Sequence, residues 1–238
     1  MAKPPGRGGA RGRAGLKTRV RTARGRTASS TRWLQRQLND PYVAEARRQG
    51  FRSRAAFKLL ELDRKYDLLK GARRVVDLGA APGGWTQVLS RRLGDEARIV
   101  AIDCLPMDPV TGVAFLEKDF LAPDAPDALK ALLGGAADLV LSDMAAPTTG
   151  HRATDHLRTM ALCEAALDFA IDVLAPGGTL VAKVLRGGTD ETLLARMKLC
   201  FASVRHAKPP ASRAESVEWY VIAKGFRPEG GTAGGRTR

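Results

Sequence analysis

The chain has 238 residues, 44% of them hydrophobic, which is enough to bury a sizeable core and suits one α/β domain with extensions. It contains no apolar run near the roughly 20 residues of a membrane span, and its basic N-terminus lacks the apolar stretch of a secretory signal. Cys104, Cys163 and Cys200 lie far apart without zinc-binding spacing, so we expect no metal site and a reduced, cytoplasmic setting.

The formal net charge of +14 is concentrated at the two ends of the chain. Residues 1–32 hold ten Lys or Arg and no acidic residue, residues 227–238 add three Arg and one Glu, and residues 33–226 carry 26 basic and 24 acidic side chains. We therefore expect a disordered Arg/Gly-rich arm over 1–32, a folded domain over 33–226 and a disordered tail over 227–238. Such an arm suits nucleic-acid phosphates and would raise affinity without selecting a nucleotide. A mitochondrial transit peptide is the alternative, although Gly and Pro disfavour its amphipathic helix.

Two helices are predicted before the first strand. One begins at Asp40-Pro41, where a capping residue precedes proline, and the other is capped by Ser53 and runs through Tyr66. The basic residues of "RRQGFRSRAAFK" make this region a candidate RNA-binding extension, although each arginine alone is typical of a solvated helix face.

From Arg73 onward, short apolar runs alternate with helical segments. Strands are predicted over 73–79, 98–103, 113–119, 137–143, 179–185, 201–207 and 218–226, and helices over 83–94, 126–135, 154–174 and 190–200. Continuous apolar strands separated by helices are typical of a parallel sheet covered on both faces. The last two strands are joined without a helix, which predicts an antiparallel last strand in a seven-stranded, mostly parallel, Rossmann-like α/β fold.

The turn after the first predicted strand, in "VVDLGAAPGGW", consists almost wholly of small residues. Three glycines would let the backbone touch a ligand, but Ala81 stands where the dinucleotide pattern G-x-G-x-x-G has its second glycine. Asp103 ends the second strand, where a carboxylate can accept both ribose hydroxyls, and Asp119 follows the third, where it can accept from an adenine amino group. The pattern favours a nucleoside with a charged tail and no phosphates, which is S-adenosylmethionine.

The stretches "VVDLGAAPGGW", "AIDCLPMDPVTGVAFLEKDF", "LVLSDMAAP" and "LVAKVLRGG" resemble the FtsJ/RlmE family of ribosomal RNA 2′-O-methyltransferases, and the resemblance covers about residues 40–225. It implies a class I S-adenosylmethionine-dependent methyltransferase that modifies a uridine in the 23S rRNA of the large ribosomal subunit and supports ribosome maturation. The residues that match the family's catalytic set are Lys58, Asp143, Lys183 and Glu218, with Lys183 as the proton acceptor. Those that match its cofactor contacts are Gly83, Trp85, Asp103, Asp119 and Asp143. The extended basic arm departs from shorter members of the family.

The chemistry of these residue types fits the transfer. A ribose 2′-hydroxyl must approach the methyl group in line and lose a weakly acidic proton. Lys183 lies at the end of a buried strand, and we expect burial and a second cation, Lys58, to lower its pKa so that a neutral amine acts as the base. Asp143 ends the neighbouring strand, near the positive methionine portion, and Glu218 can orient the lysines. Methylation of a pyrimidine ring carbon usually needs a cysteine near the fourth or fifth strand, but Cys163 and Cys200 lie within or at the end of predicted helices. Methylation of an adenine ring nitrogen would favour an Asn-Pro-Pro-aromatic turn where the chain has "SDMAAP", so both alternatives are disfavoured.

Three functions stay open at this point. The resemblance favours 2′-O-methylation of 23S rRNA, the same chemistry on tRNA or another rRNA is the second, and a non-catalytic rRNA-binding assembly factor is the third. Lys58 alone is typical of a solvated helix and Trp85 alone of a core, so the argument for a site depends on the joint position of acids and lysines at strand ends. We expect a monomer without an obligate protein partner.

Overall fold

The computed structural model describes residues 27–147, 149–185 and 191–228, and this part of the chain divides into two units between Ala44 and Glu45. The first unit contains α1 (Ala28–Leu38) and the beginning of α2 (Pro41–Arg48). α1 is capped by Thr27, whose Oγ1 accepts a hydrogen bond from the backbone N of Ser30 at 3.2 Å. The helix therefore begins inside the stretch assigned to the basic arm, while the arm's residues 1–26 lie outside the described residues. None of the described helices is long and apolar enough to cross a membrane.

The two predicted helix starts differ in outcome. Asp40 caps α2 as expected, because its Oδ1 accepts from the backbone N of Tyr42 at 3.0 Å. The cap predicted at Ser53 is wrong: α3 (Ala55–Tyr66) has Arg54 at its N-cap position, and the buried Ser53 hydroxyl has no hydrogen-bond partner. The reason is tertiary packing, since Ser53 Oγ lies so close to Gly84 that a Cβ there would be 2.2 Å away.

The second unit is built on a seven-stranded sheet in the order β3-β2-β1-β4-β5-β7-β6. Its strands are β1 (Arg74–Leu78), β2 (Arg98–Asp103), β3 (Val113–Glu117), β4 (Ala137–Ser142), β5 (Leu174–Leu185), β6 (Phe201–Ala207) and β7 (Glu218–Phe226). The helices after α3 are α4 (Gly84–Leu93), α5 (Ala125–Leu133), α6 (Arg152–Val173) and α7 (Glu191–Cys200), and a short 3₁₀ turn (Gly94–Glu96) follows α4. The first five strands are parallel, and β7 pairs antiparallel with both β5 and β6. The predicted fold class and the antiparallel last strand are confirmed.

The strands alternate between two apolar layers, which explains why their sequences are apolar almost throughout. Val76 and Leu78 of β1 face a core formed with α5, α6 and α7, whereas Val75 faces a core formed with α3 and α4. The largest error in strand length is at β5, which begins at Leu174 and carries an irregularity opposite β4 before the predicted apolar run. Coverage of the sheet on both faces leaves the ends of its strands as the places where polar side chains can meet.

Topology brings the predicted polar residues to one edge of the sheet. β2, β3, β4 and β5 are parallel, so residues at their carboxyl ends share that edge. β7 runs the other way, and its first residue, Glu218, pairs with Leu185 near the end of β5. An antiparallel last strand is therefore what places Glu218 beside Lys183.

Candidate active site

Lys183 is the centre of a buried group of charges at this edge. Its side chain is only 6% exposed, and its Nζ lies 3.0 Å from Asp143 Oδ1 and 4.0 Å from Glu218 Oε1. The ammonium group also donates to the backbone carbonyl of Asp143 at 2.8 Å. Lys183 is thus held by the residue that follows β4 and by the residue that begins β7.

Lys58 reaches the same group from α3. Its Nζ lies 3.2 Å from Glu218 Oε2 and 5.7 Å from the centre of the Tyr220 ring. Tyr220 lies two residues after Glu218 on β7, on the same face, and its hydroxyl donates to Asp143 Oδ1 at 2.6 Å. The structure therefore brings together all four residues of the predicted set and adds Tyr220. We call these five residues the lysine–carboxylate cluster.

The charges of the cluster set its protonation. Burial disfavours the charge of Lys183 more than any other single effect, but the nearby carboxylates of Asp143 and Glu218 together outweigh it and raise the pKa of Lys183. Burial likewise opposes the charge of both carboxylates, and the attraction of Lys183 and Lys58 still lowers the pKa of Asp143 and of Glu218. Burial, together with Asp143, raises the pKa of Tyr220 well above its usual range, so Tyr220 stays a neutral donor.

The expectation of a lowered pKa at Lys183 is therefore wrong for this arrangement of charges. That expectation counted burial and the positive charge of Lys58, but Lys58 is itself paired with Glu218. Lys183 has two carboxylates within 4.0 Å, and their attraction exceeds the cost of burying its charge. Lys183 is consequently an ammonium group that must give up its proton before it can act as a base.

A cavity of about 400 Å³ lies at the same edge of the sheet. Its wall includes Gly79 of the glycine turn, both predicted nucleoside contacts (Asp103 and Asp119) and Met144, which follows Asp143. Most of the remaining wall is apolar. We call this space the edge cavity, and its size and mixed lining suit a nucleoside with a few polar anchors.

The two carboxylates in the edge cavity are held by backbone groups. Asp103 Oδ2 accepts from the backbone N of Ala81 and Oδ1 from that of Leu105, both at 2.9 Å. Asp119 Oδ1 accepts from the backbone N of Leu121 at 2.9 Å. A carboxylate offers about four lone-pair positions, so each of these side chains retains acceptor capacity for a ligand.

Three predicted cofactor residues, Gly83, Trp85 and Asp143, are not in the wall of the edge cavity, although Met144, which follows Asp143, is. Trp85 is 2% exposed, packs against the Tyr220 ring at a centroid distance of 5.5 Å, and donates from Nε1 to the carbonyl of Ala55 at 2.8 Å. Gly83 has a φ of +103° and precedes the first residue of α4. Gly83 and Trp85 therefore act on the site indirectly. Trp85 packs against Tyr220, the tyrosine that donates to Asp143.

The glycine turn is required by the protein's own packing as well. Gly79 has a φ of +78°, and a Cβ there would lie 2.8 Å from the backbone of Met144. The turn can consequently approach the segment after β4 only without a side chain. Sequence reasoning did not predict this packing, because the approach of two distant segments leaves no local signal.

Sequence reasoning also missed two polar residues. Tyr220 had a usable signal, since it follows Glu218 by two positions in a strand and so shares its face. Asp77, inside β1, is fully buried and accepts from Thr86 Oγ1 at 2.7 Å, while its Oδ1 has no partner. Burial above all, with smaller contributions from the charges of Asp143 and Asp103, raises the pKa of Asp77 to about 7 against the opposing hydrogen bond from Thr86.

A mostly parallel sheet of this order, with a nucleoside-sized cavity at the carboxyl ends of its strands, defines the protein as a class I methyltransferase in fold. Residues 51–226 match the family described as FtsJ-like methyltransferase. The chain belongs to this family, so the resemblance seen in its motifs is confirmed.

Similar proteins extend the comparison over most of the chain. Two relatives bear the name ribosomal RNA large subunit methyltransferase E. The one from Xanthobacter autotrophicus is 63% identical over 217 residues, which cover 90% of this chain and 85% of the relative. The one from Novosphingobium aromaticivorans is 64% identical over 209 residues, which cover 88% of this chain and 94% of the relative.

Solved structures agree with this fold. A Plasmodium falciparum protein described as a ribosomal RNA methyltransferase is 32% identical, with a TM-score of 0.66 over 74% of this chain and 98% of the other. A Streptococcus thermophilus protein described as a hemolysin is 15% identical, with a TM-score of 0.52 over 75% of this chain and 68% of the other. The second likeness concerns the fold alone.

Proposed function

We propose that this protein transfers a methyl group from S-adenosylmethionine to the 2′-hydroxyl of a uridine in the 23S rRNA of the large ribosomal subunit, and so supports ribosome maturation. The observation that carries the chemistry is the buried Lys183 ammonium, 3.0 Å from Asp143 and within 4.0 Å of Glu218, at the edge of the sheet that holds the edge cavity. The choice of rRNA rests on the relatives named as large-subunit rRNA methyltransferases.

The residues of the edge cavity fit S-adenosylmethionine. Asp103 and Asp119 combine retained acceptor capacity with an apolar wall, which suits ribose hydroxyls, an adenine amino group and a flat ring. When bound, S-adenosylmethionine supplies an electrophilic methyl group. Asp143 directly precedes Met144 of the cavity wall, and its negative charge would also attract a cationic ligand.

Lys183 would receive the proton of the ribose hydroxyl. It must first lose its own ammonium proton, and a second cation bound nearby favours that loss by opposing its charge. Tyr220 donates to the Asp143 carboxylate at 2.6 Å and fixes it. Glu218 lies between Lys58 and Lys183, so two carboxylates that are themselves held set the position of the Lys183 amine. Fixed geometry of this kind lowers the barrier because the groups need no reorganisation during the reaction.

The alternatives differ from this proposal in substrate or in chemistry. Methylation of tRNA or another rRNA would use the same cluster, so the substrate must be decided by experiment. A non-catalytic assembly factor has no need of a buried lysine held against two carboxylates, because such a group costs desolvation energy. The cluster therefore favours an enzyme.

We further propose that the protein acts in the cytoplasm. We also propose that it acts as a monomer without an obligate protein partner, because one chain supplies every residue of the lysine–carboxylate cluster.

The arm over residues 1–32, with its ten positive charges, would raise RNA affinity without choosing the nucleotide. Deleting the arm should lower the slope of log affinity against log salt and leave the methylated position unchanged. An unchanged slope, or a moved modification, would contradict this role.

The function is tested by mapping 2′-O-methyl groups in all rRNA and tRNA of cells that lack the gene and carry back either the wild type or Lys183→Ala. We expect one uridine position in 23S rRNA to lose its methyl group without the gene and to regain it only with the wild type. Loss at a tRNA or 16S position instead would establish the second function. Unchanged methylation throughout would favour the assembly factor. Purified protein with naked 23S rRNA or isolated large subunits would then identify which form is the substrate.

A further inference from the structure

Two backbone segments meet beside the edge cavity, and the protein joins them twice. They are the glycine turn (residues 79–84) and the segment after β2 (residues 104–112). The first bridge is the carboxylate of Asp103, which accepts from Ala81 and from Leu105. Under the proposed function, the same carboxylate also binds the ribose with its remaining lone pairs, so the first bridge sets the position of the ligand's acceptor.

The second bridge is Arg52, which binds the carbonyl groups of the same two segments. Its Nη1 donates to the carbonyl of Asp108 at 2.7 Å and its Nη2 to that of Pro109 at 2.8 Å. Nη1 also makes a longer bond of 3.5 Å to the carbonyl of Pro82. The two bridges are complementary: Asp103 uses N–H groups of the two segments and Arg52 uses their carbonyls.

The glycine turn leaves space for this guanidinium. A Cβ on Gly83 would lie 2.8 Å from Arg52 Nη1, and Gly83 adopts a φ of +103°. The planar fork of arginine can donate to two adjacent carbonyls at once, which the single ammonium group of lysine does with less geometric control. Gly83, assigned to the cofactor by resemblance, thus has a second use in making room for Arg52.

The backbone of Arg52 is itself fixed. Its N donates to Gln87 Oε1 of α4 at 2.8 Å, and Gln87 Nε2 donates to the carbonyl of Gly50 at 3.2 Å. α3 begins three residues later and carries Lys58. Arg52 therefore connects the helix that supplies a lysine of the cluster with both segments beside the edge cavity.

We propose that Arg52 is a positioning residue for the cofactor site: it holds the segment after β2 against the glycine turn, so that Asp103 keeps its position when it binds a ribose. This inference rests on the proposed use of S-adenosylmethionine. Arg52 lies outside the wall of the edge cavity, so it acts through Asp103 and the turn. Its loss should weaken cofactor binding and leave the proton transfer at Lys183 in place.

Arg91 offers a matched control. It is also an arginine that ties two segments through carbonyl groups, since its Nη1 donates to Gln49 and its Nη2 to Gly50, both at 2.9 Å. Its bonds reach neither the glycine turn nor the segment after β2. Arg91→Ala therefore removes a comparable structural tie without touching the second bridge.

The test compares Arg52→Ala, Arg52→Lys and Arg91→Ala by calorimetry with S-adenosylmethionine, by thermal unfolding and by steady-state kinetics on the rRNA substrate. We expect Arg52→Ala to bind about tenfold or more weakly and to raise KM for the cofactor, with kcat within a few-fold of wild type. Arg52→Lys should recover part of the affinity, and Arg91→Ala should bind like wild type despite a similar fall in Tm. Arg52→Lys also keeps the test valid if Arg52→Ala fails to fold.

Two affinity measurements would overturn the inference: wild-type affinity in both Arg52 variants, or an equal loss of affinity in Arg52→Ala and Arg91→Ala. A fall in kcat with unchanged KM would do the same, because it would place Arg52 in the chemistry. Failure of the proposed cofactor use looks different, since wild-type protein would then bind no S-adenosylmethionine at all.

Discussion

The lysine–carboxylate cluster and the edge cavity lie at the same edge of one sheet, and both are rich in acidic side chains, yet they use them differently. In the cluster, Asp143 and Glu218 face ammonium groups at 3.0 and 3.2 Å. In the edge cavity, Asp103 and Asp119 are held by backbone N–H groups. Carboxylates paired with cations fix and charge a lysine, whereas carboxylates held by the backbone retain lone pairs for a neutral ligand. Under the proposed function, proton transfer and cofactor binding therefore use separate groups of carboxylates at one edge of the sheet.

The largest expected effect tests the first half of this comparison. Lys183→Ala should lower the single-turnover rate at saturating S-adenosylmethionine by about 10²–10⁴-fold, because a general base acts only in the transition state. Calorimetry should show cofactor affinity close to wild type. Lys224→Ala is the control, since Lys224 is a lysine of the adjacent strand β7 whose Nζ donates to the carbonyl of Tyr66 at 2.7 Å, outside the cluster. Near-normal turnover in Lys183→Ala would leave this lysine with a structural role only.

The next effect concerns stability. Asp143→Ala should reduce the free energy of unfolding by about 3–5 kcal/mol, because it leaves the buried Lys183 ammonium with Glu218 at 4.0 Å as its remaining carboxylate in the cluster. Urea denaturation of the purified variant measures this. The double variant Asp143→Ala, Lys183→Met removes the unpaired charge as well and should be more stable than the single one. Equal instability of the two variants would mean that lost packing, and not the charge, is responsible.

Asp103→Ala should affect the edge cavity alone. We expect S-adenosylmethionine to bind about ten- to a hundredfold more weakly, since hydrogen bonds to a charged group contribute roughly 1.5–3 kcal/mol. Turnover at saturating cofactor should stay within a few-fold of wild type. The S-adenosylmethionine affinity of Asp103→Asn, which keeps one acceptor oxygen, should lie between those of the wild type and Asp103→Ala. Calorimetry with unchanged affinity would remove Asp103 from the binding site.

Glu218→Gln should have the smallest measured effect of these four substitutions. It keeps the shape of the side chain but removes one of the two carboxylates that raise the pKa of Lys183. Losing this attraction lowers the pKa of Lys183, so the pH–rate profile should move to lower pH. The weaker bond to Lys58, which donates to Glu218 Oε2 at 3.2 Å, costs about 0.5–1.5 kcal/mol and should lower the maximal turnover rate about two- to tenfold. A loss as large as that of Lys183→Ala would show that Glu218 takes part in the reaction directly.

The fold was predictable because its signals are local. Val75, Val76 and Leu78 belong to a short apolar run that only Asp77 interrupts. The alternation of strands and helices along the chain predicts helices on both faces of the sheet, and these strand residues are buried on both faces. The common edge of Asp103, Asp143 and Lys183 follows from parallel strands, and the position of Glu218 from the missing helix before β7. Each of these inferences needs only periodicity and connection length.

What escaped prediction depends on contacts between distant segments. The pKa of Lys183 moves upward because two carboxylates lie within 4.0 Å, a distance that no pattern in the sequence encodes. The same is true of Gly84, which is small because Ser53 packs against it, and of Arg52, whose main acceptors are 56 and 57 residues away in the chain. The sequence shows which residues stand at these positions, but it does not show the distant contacts that determine their energetic roles.

The central claim, that Lys183 must lose a proton to act as the base, is tested most directly by the pH dependence of single turnover at S-adenosylmethionine well below its Kd. Under this condition the rate reports the free protein, in which Asp143 and Glu218 raise the pKa of Lys183. Below that pKa the amine form increases about tenfold with each pH unit, so the wild-type rate should rise about tenfold per unit from pH 7.5 to 9.5 without a plateau. The residual rate of Lys183→Ala should not follow this rise. A wild-type rate that is constant over this range, or a Lys183→Ala rate that climbs in parallel with it, would contradict the account.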